Sequence, residues 1–150
     1  MGHEVREALE RVRPRARLEN ALVTIRMEGG QYRTMADRSH VGLILNNLLN
    51  NALTYSAVPA EVTVEVRAAG EAVEVAVQDR GHGIPKDQHE RVFERFHRVN
   101  VGPASTAAGL GLGLTISQEL AHLNGGELVL ERSAPGEGSV FVLRLRQQRA

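Results

Sequence analysis

Asn46, Asn47, Asn50 and Asn51 fall within six consecutive residues of a segment otherwise made of leucine. Asparagine competes with the helical backbone for hydrogen bonds, so each costs roughly several tenths of a kcal/mol relative to alanine in a helix. Asn47, Asn51 and Thr54 are four and three residues apart, which places them on one helix face. Such a row of neutral oxygens suits a hard cation that arrives with its own phosphates, as Mg2+ does, and it equally suits a solvated face. A second group is Asp79-Arg80-Gly81-His82-Gly83-Ile84-Pro85, directly after an apolar strand. Alternating glycines after an acid permit a tight backbone excursion and close approach of a ligand. A carboxylate there can accept from the exocyclic amine of adenine, and it meets the carbonyl of guanine acceptor to acceptor. Taken singly, Asp-x-Gly-x-Gly also describes an ordinary loop. A third group, Gly109-Leu110-Gly111-Leu112-Gly113-Leu114, stands at the start of a helix, where free amides and the helix dipole hold phosphate oxygens. It is not the dinucleotide fingerprint, because Leu114 occupies the place of the third glycine. Nor is it a phosphate-binding P-loop, since Lys86 is the only lysine and follows Pro85.

These groups need elements to hold them. Residues 3–18 read as a charged helix with Val5, Leu9, Val12 and Leu18 as its apolar stripe, stopping near Pro14 or soon after. Two short strands are expected at 21–27 and 32–36, about a hairpin-like Glu28-Gly29-Gly30-Gln31 turn. Asp37 or Ser39 caps a long helix to about Tyr55, with Val41, Leu45, Leu48 and Ala52 at helical spacing. Valines alternate at 62, 64, 66 and at 73, 75, 77, which predicts an antiparallel pair with one wet face. A helix from about Leu110 to Asn124 carries Ile116, Leu120 and Leu123 and stops at Gly125-Gly126. Strands at 127–132 and 139–146 follow. The fold class expected is α+β: a two-layer α/β sandwich with a mixed, mostly antiparallel sheet covered on one face by helices.

Composition narrows the class further. At 150 residues the chain is one domain, 1–150, with a single core. Eighteen basic and eighteen acidic residues cancel, and aromatics are 3% without tryptophan, so neither a basic field nor stacking platforms point to nucleic acid. The absence of cysteine excludes disulfides and thiolate chemistry. No apolar run approaches the roughly 20 residues that span a bilayer. The expectation is therefore a cytoplasmic piece without membrane contact of its own, with room for a membrane anchor elsewhere in a parent chain.

Together and in this order the segments resemble the boxes of sensor histidine kinases. Asn47-Leu-Leu-Asn-Asn51-Ala is similar to the N box and Asp79-x-Gly81-x-Gly83-Ile84 to the G1 box. Val92-Phe-Glu-Arg95-Phe96-His-Arg98 resembles the F box, and Gly109-x-Gly111-Leu112-Gly113-Leu114 the G2 box. Gly125-Gly126 and Gly138-Ser139 match as well, so the resemblance spans roughly residues 5–146. It implies the catalytic ATP-binding domain, of the GHKL fold, without the dimerisation and phosphoacceptor hairpin. It further implies ATP and Mg2+ as cofactors, with Asn51 on Mg2+, Asn47 beside the phosphates and Asp79 on adenine. Gly109–Gly113 would close a lid, and the γ-phosphate would pass to a histidine on a separate helical hairpin of the same parent protein, then to a response regulator.

Residues 101–109 hold almost nothing that anchors a loop in a core, as a lid requires. Arg95 and Arg98 flank Phe96 and either bring charge to the phosphates or form an exposed helix end, while Phe93 and Phe96 seat the lid base. The family commonly carries Lys or Arg three residues after the magnesium asparagine, where this chain has Thr54; Tyr55 fits the aromatic that often follows, which the resemblance would place against the base. His3-Glu4 lacks the context of a phosphoacceptor, and no histidine set forms a metal constellation. Two alternatives share the fold: a nucleotide-sensing module that has lost transfer, and a serine kinase of the anti-sigma-factor type, against which the F box and long lid argue.

Overall fold

Valine at every second position of two consecutive strands gives the sheet one apolar face, and the helices gather there. A computed structural model describes residues 2–27, 33–55, 60–81, 83, 93, 113–134 and 136–147. Its elements are α1 (Gly2–Leu18), β1 (Leu22–Met27), α2 (Arg38–Tyr55), β2 (Glu61–Ala69), β3 (Ala72–Asp79), α3 (Gly113–Leu123), β4 (Glu127–Ala134) and β5 (Gly138–Arg146). One five-stranded sheet runs in the order β1-β2-β3-β5-β4, with β1 parallel to β2 and the other pairs antiparallel. The α+β, two-layer reading holds.

The expected β1 hairpin does not form. β1 pairs with β2, Leu22 opposite Glu61, and within 33–36 only Thr34 makes a bridge, to Gln147. Its turn, 28–32, lies outside the described residues. α1 continues through Pro14 to Leu18, with Pro14 on the exposed side, where water can serve the carbonyl that loses its donor. Val5, Ala8, Val12 and Ala16 are its buried stripe, whereas Leu18 is 86% exposed because the chain turns away at Asn20, φ 53°.

α2 is capped as expected by Asp37, whose Oδ1 accepts from the Ser39 and His40 amides at 2.8 and 3.2 Å. Val41, Ile44, Leu45, Leu48, Leu49, Ala52 and Leu53 are all buried, so its asparagines fill the remaining arc. α3 ends in a left-handed Gly125 (φ 74°), with Gly126 N–H donating to Ala121 O and Gly125 N–H to His122 O, a Schellman stop. Its buried residues are Thr115, Ser117 and Ala121; Ile116 and Leu123 are exposed, a correction to the expected stripe.

The far sheet face is not uniformly wet. Ala76, Val140 and Val142 form a second buried cluster there with Val129 against it. Beside it Glu74 lies between Arg67 and Arg144, at 2.9 and 2.6 Å. Burial alone would raise the Glu74 carboxyl, but the two guanidinium hydrogen bonds outweigh it and hold it below the ordinary value.

Leu48 is 1% exposed and belongs to the main core, so Leu48→Ala is expected to cost about 2–5 kcal/mol in chemical denaturation. Leu43→Ala, one position from that arc and 50% exposed, should stay within about 0.5 kcal/mol. Equal costs at both positions would contradict the orientation of α2.

Candidate nucleotide-binding site

Strand parity sets the position of Asp79. It pairs with Val62 and Ser139, in step with Val77 opposite Val64, and so shares the helix-covered face of the sheet. It closes β3 at 4% exposure, and its Oδ1 accepts from the Gly81 amide at 3.0 Å. Burial pushes its carboxyl up from 3.8 to about 6, against the pull of the Gly81 and Ser139 backbone N–H groups. Gly138 makes this packing possible. Its φ is 81°, and a Cβ there would overlap the Asp79 carbonyl oxygen and lie 3.0 Å from the Arg80 Cα. Gly81 and Gly83 are buried beside the carboxylate's strand end.

Asn47 joins the two site helices. Its Nδ2 donates to Gly113 O at 3.3 Å and to Ser117 Oγ at 3.0 Å. A carbonyl oxygen can only accept, so the nitrogen must face α3 and the amide oxygen is left to turn elsewhere. Gly113 opens α3, whose first-turn amides have no partner within the helix. Asn51, half-buried and one turn further along α2, makes no side-chain hydrogen bond among the described residues. Among those residues, no group of three or more histidine or acidic side chains is placed to hold a metal ion.

Thr54 is engaged within the fold. Its hydroxyl donates to Asn50 O at 2.8 Å, so its proton is engaged inside α2, and its oxygen accepts from Arg15 Nη2 at 2.9 Å. Arg15 Nη1 also reaches Asn50 O and Oδ1, at 3.2 and 3.1 Å. Arg15 lies outside every box; its place beside α2 depends on the packing of α1, which no local pattern encodes. Ser117 was equally missed, although its four-residue spacing from Gly113 is the signal that it shares that face.

Leu114 packs against the core. So does Phe93, edge-to-face with Phe141 at 6.0 Å, its carbonyl accepting from Thr115 Oγ1 at 2.6 Å. The expectation that Phe93 seats in the core holds. Ile84, Arg95, Phe96, Arg98, Gly109, Leu110, Gly111 and Leu112, the lid segment, and the Tyr55 side chain lie outside the described residues.

An acid-bearing strand end, an asparagine helix and a glycine-led helix on one side of a mixed sheet define a nucleotide-binding domain by its parts. Residues 36–149 match the profile described as histidine kinase-, DNA gyrase B- and HSP90-like ATPase, and the chain belongs to that family. It is 41% identical over 114 residues to the sensor-like histidine kinase SenX3 of Mycolicibacterium smegmatis, covering 76% of this chain and 29% of that one. To the signal transduction histidine-protein kinase AfsQ2 of Streptomyces coelicolor it is 43% identical over 111 residues, 74% and 20% of the two chains. This chain therefore spans less than a third of these relatives. The solved mycobacterial sensor histidine kinase MprB superposes with a TM-score of 0.87 at 27% identity, over 100% of this chain and 97% of that one. The catalytic domain of histidine kinase ThkA shares the fold, with a TM-score of 0.84.

Since the folded-state pKa of Asp79 lies above the ordinary value, the unfolded chain releases this proton first as pH rises. Its burial is therefore least costly below pH 3.8, and the penalty is complete above about 6. The stability of the parent relative to Asp79→Asn should fall by on the order of 3 kcal/mol between pH 3.5 and 7.5, followed by denaturant titration. A difference that stays constant across this range would contradict a buried, charged Asp79.

Proposed function

We propose that this chain is the ATP-binding catalytic domain of a two-component sensor histidine kinase. It would bind ATP with Mg2+ and deliver the γ-phosphate to a histidine on a separate helical hairpin, from which it would pass to a response regulator. The observation that carries the nucleotide half is the Asp79 carboxylate, buried at a central strand end, whose partners among the described residues are the Gly81 and Ser139 backbone N–H groups. A buried acceptor there fits the exocyclic amine of adenine and repels the carbonyl of guanine. Asn47 and Asn51 fit the phosphates and Mg2+, and the ion would supply charge neutralisation at the triphosphate. The transfer half is supported by the company the chain keeps, since SenX3 and AfsQ2 are both named histidine kinases.

A second reading, a nucleotide-sensing module without transfer, is favoured by one observation: Thr54 brings no charge and its hydroxyl is already committed to Asn50. Both readings require the pocket. Asp79→Asn should abolish ATP binding in calorimetry while leaving the circular dichroism spectrum native, and undiminished affinity would remove Asp79 from the site. Mixing the chain with the helical hairpin of its own parent protein and γ-labelled ATP separates the two readings. Acid-labile label on the hairpin histidine is the outcome expected of the kinase; ATP bound without label on the hairpin would leave the sensing module.

A further inference from the structure

A magnesium-bound triphosphate carries excess negative charge, and binding it from water calls for a cation on the protein side. α2 does not provide one near Asn51. Its basic residues are Arg38 and His40 at the far end, and its last turn has none. Among the described residues, the cation at this turn comes from α1. Arg15 Nη2 lies 2.9 Å from Thr54 Oγ1, and Thr54 is three residues from Asn51 on the same helix face.

Arg15 is held there by more than one contact. Nη1 donates to Asn50 O and Oδ1, and Nε to Glu19. A guanidinium has five N–H donors, so among the described residues one Nη2 N–H remains without an acceptor. Its charge pairs with Glu19 at 3.3 Å, and with the two side chains 32% and 44% exposed, water screens that pair. The planar fork is thus oriented along the α2 turn, with one N–H to spare and its charge matched only by a solvent-screened pair with Glu19.

We infer that Arg15 is a phosphate-side cation of this nucleotide site, supplied by α1 across the α1–α2 interface to the helix turn where α2 itself carries uncharged Thr54. The assignment rests on the ATP-binding reading above and adds to it a residue outside all four boxes. Its consequence is selectivity for charged nucleotides. Adenine recognition at Asp79 is untouched by Arg15, whereas the terminal phosphates lose a partner without it.

The test compares ATP, ADP and adenosine binding, by calorimetry and competition in the presence of Mg2+, for the parent, Arg15→Gln and the pair Arg15→Gln with Thr54→Lys. Arg15→Gln should weaken ATP about tenfold, the loss of one partly solvated charge-assisted bond, with adenosine unchanged. Returning a charge to α2 in the double variant should restore most of the ATP affinity. An ATP-to-adenosine preference that Arg15→Gln leaves unaltered overturns the assignment. So does a loss shared equally by all three ligands, accompanied by a lower Tm and not rescued by Thr54→Lys, because that marks a purely structural tie between α1 and α2. A parent chain that binds no ATP removes the underlying reading and this assignment with it, whereas a parent that binds ATP normally beside an unaltered Arg15→Gln removes the assignment alone.

Discussion

One helix has to serve two surroundings. α2 buries Val41, Ile44, Leu45, Leu48, Leu49, Ala52 and Leu53 against the sheet and its neighbouring helices, which fixes its rotation. Whatever occupies the other arc is then held in one orientation, and that arc contains Asn46, Asn47, Asn50 and Asn51. The asparagines weaken the helix locally, so core burial, the Asp37 cap and the Arg15 contacts must hold it in their place. A site whose ligands are poor helix formers is rigid here because the opposite face is apolar.

The same logic tells which features were legible in the sequence. Alternating valines revealed β2 and β3 because period two is local, and Asp37 announced the start of α2 because capping involves three residues. The place of Asp79 at a strand end was legible, since the alternating strand before it and the glycines after it are local signals. Tertiary choices were not legible. β1 joins β2 in parallel although a hairpin-like Gly-Gly turn follows it, because pairing depends on which edge is free after the sheet assembles. In α3, Thr115, Ser117 and Ala121 are buried while Ile116 and Leu123 face out. Small and hydroxylated residues there allow close approach to α2 and hydrogen bonds to Asn47 and the Phe93 carbonyl, so apolar periodicity alone gives the wrong face. Arg15 is the clearest case: it reaches residues 35 and 39 positions away.

The face of the sheet turned from the helices has its own organisation. Glu74 is held between Arg67 and Arg144, and Arg144 also pairs with Glu127 while Arg67 reaches Glu131. These groups tie β2, β3, β4 and β5 together across the strands, beside the small cluster of Ala76, Val140 and Val142. An individual exposed pair of this kind contributes little, but the shared buried Glu74 carboxylate joins β2, β3 and β5 through charge-assisted hydrogen bonds.

Because Asp79 shares its sheet face with Val73, Val75 and Val77, its place in the molecule is tied to the parity of the strand. A one-residue slip of β3 would carry the carboxylate to the far face, and it would carry the three valines out of the core in the same movement. A lineage can therefore lose this acid by point substitution, yet it cannot relocate it by a small insertion or deletion within the strand and remain folded. Length variation should be confined to the Gly70-Glu71 turn and to the segments between elements. In this sense the hydrophobic core acts as the ruler against which the acid's position is kept across generations.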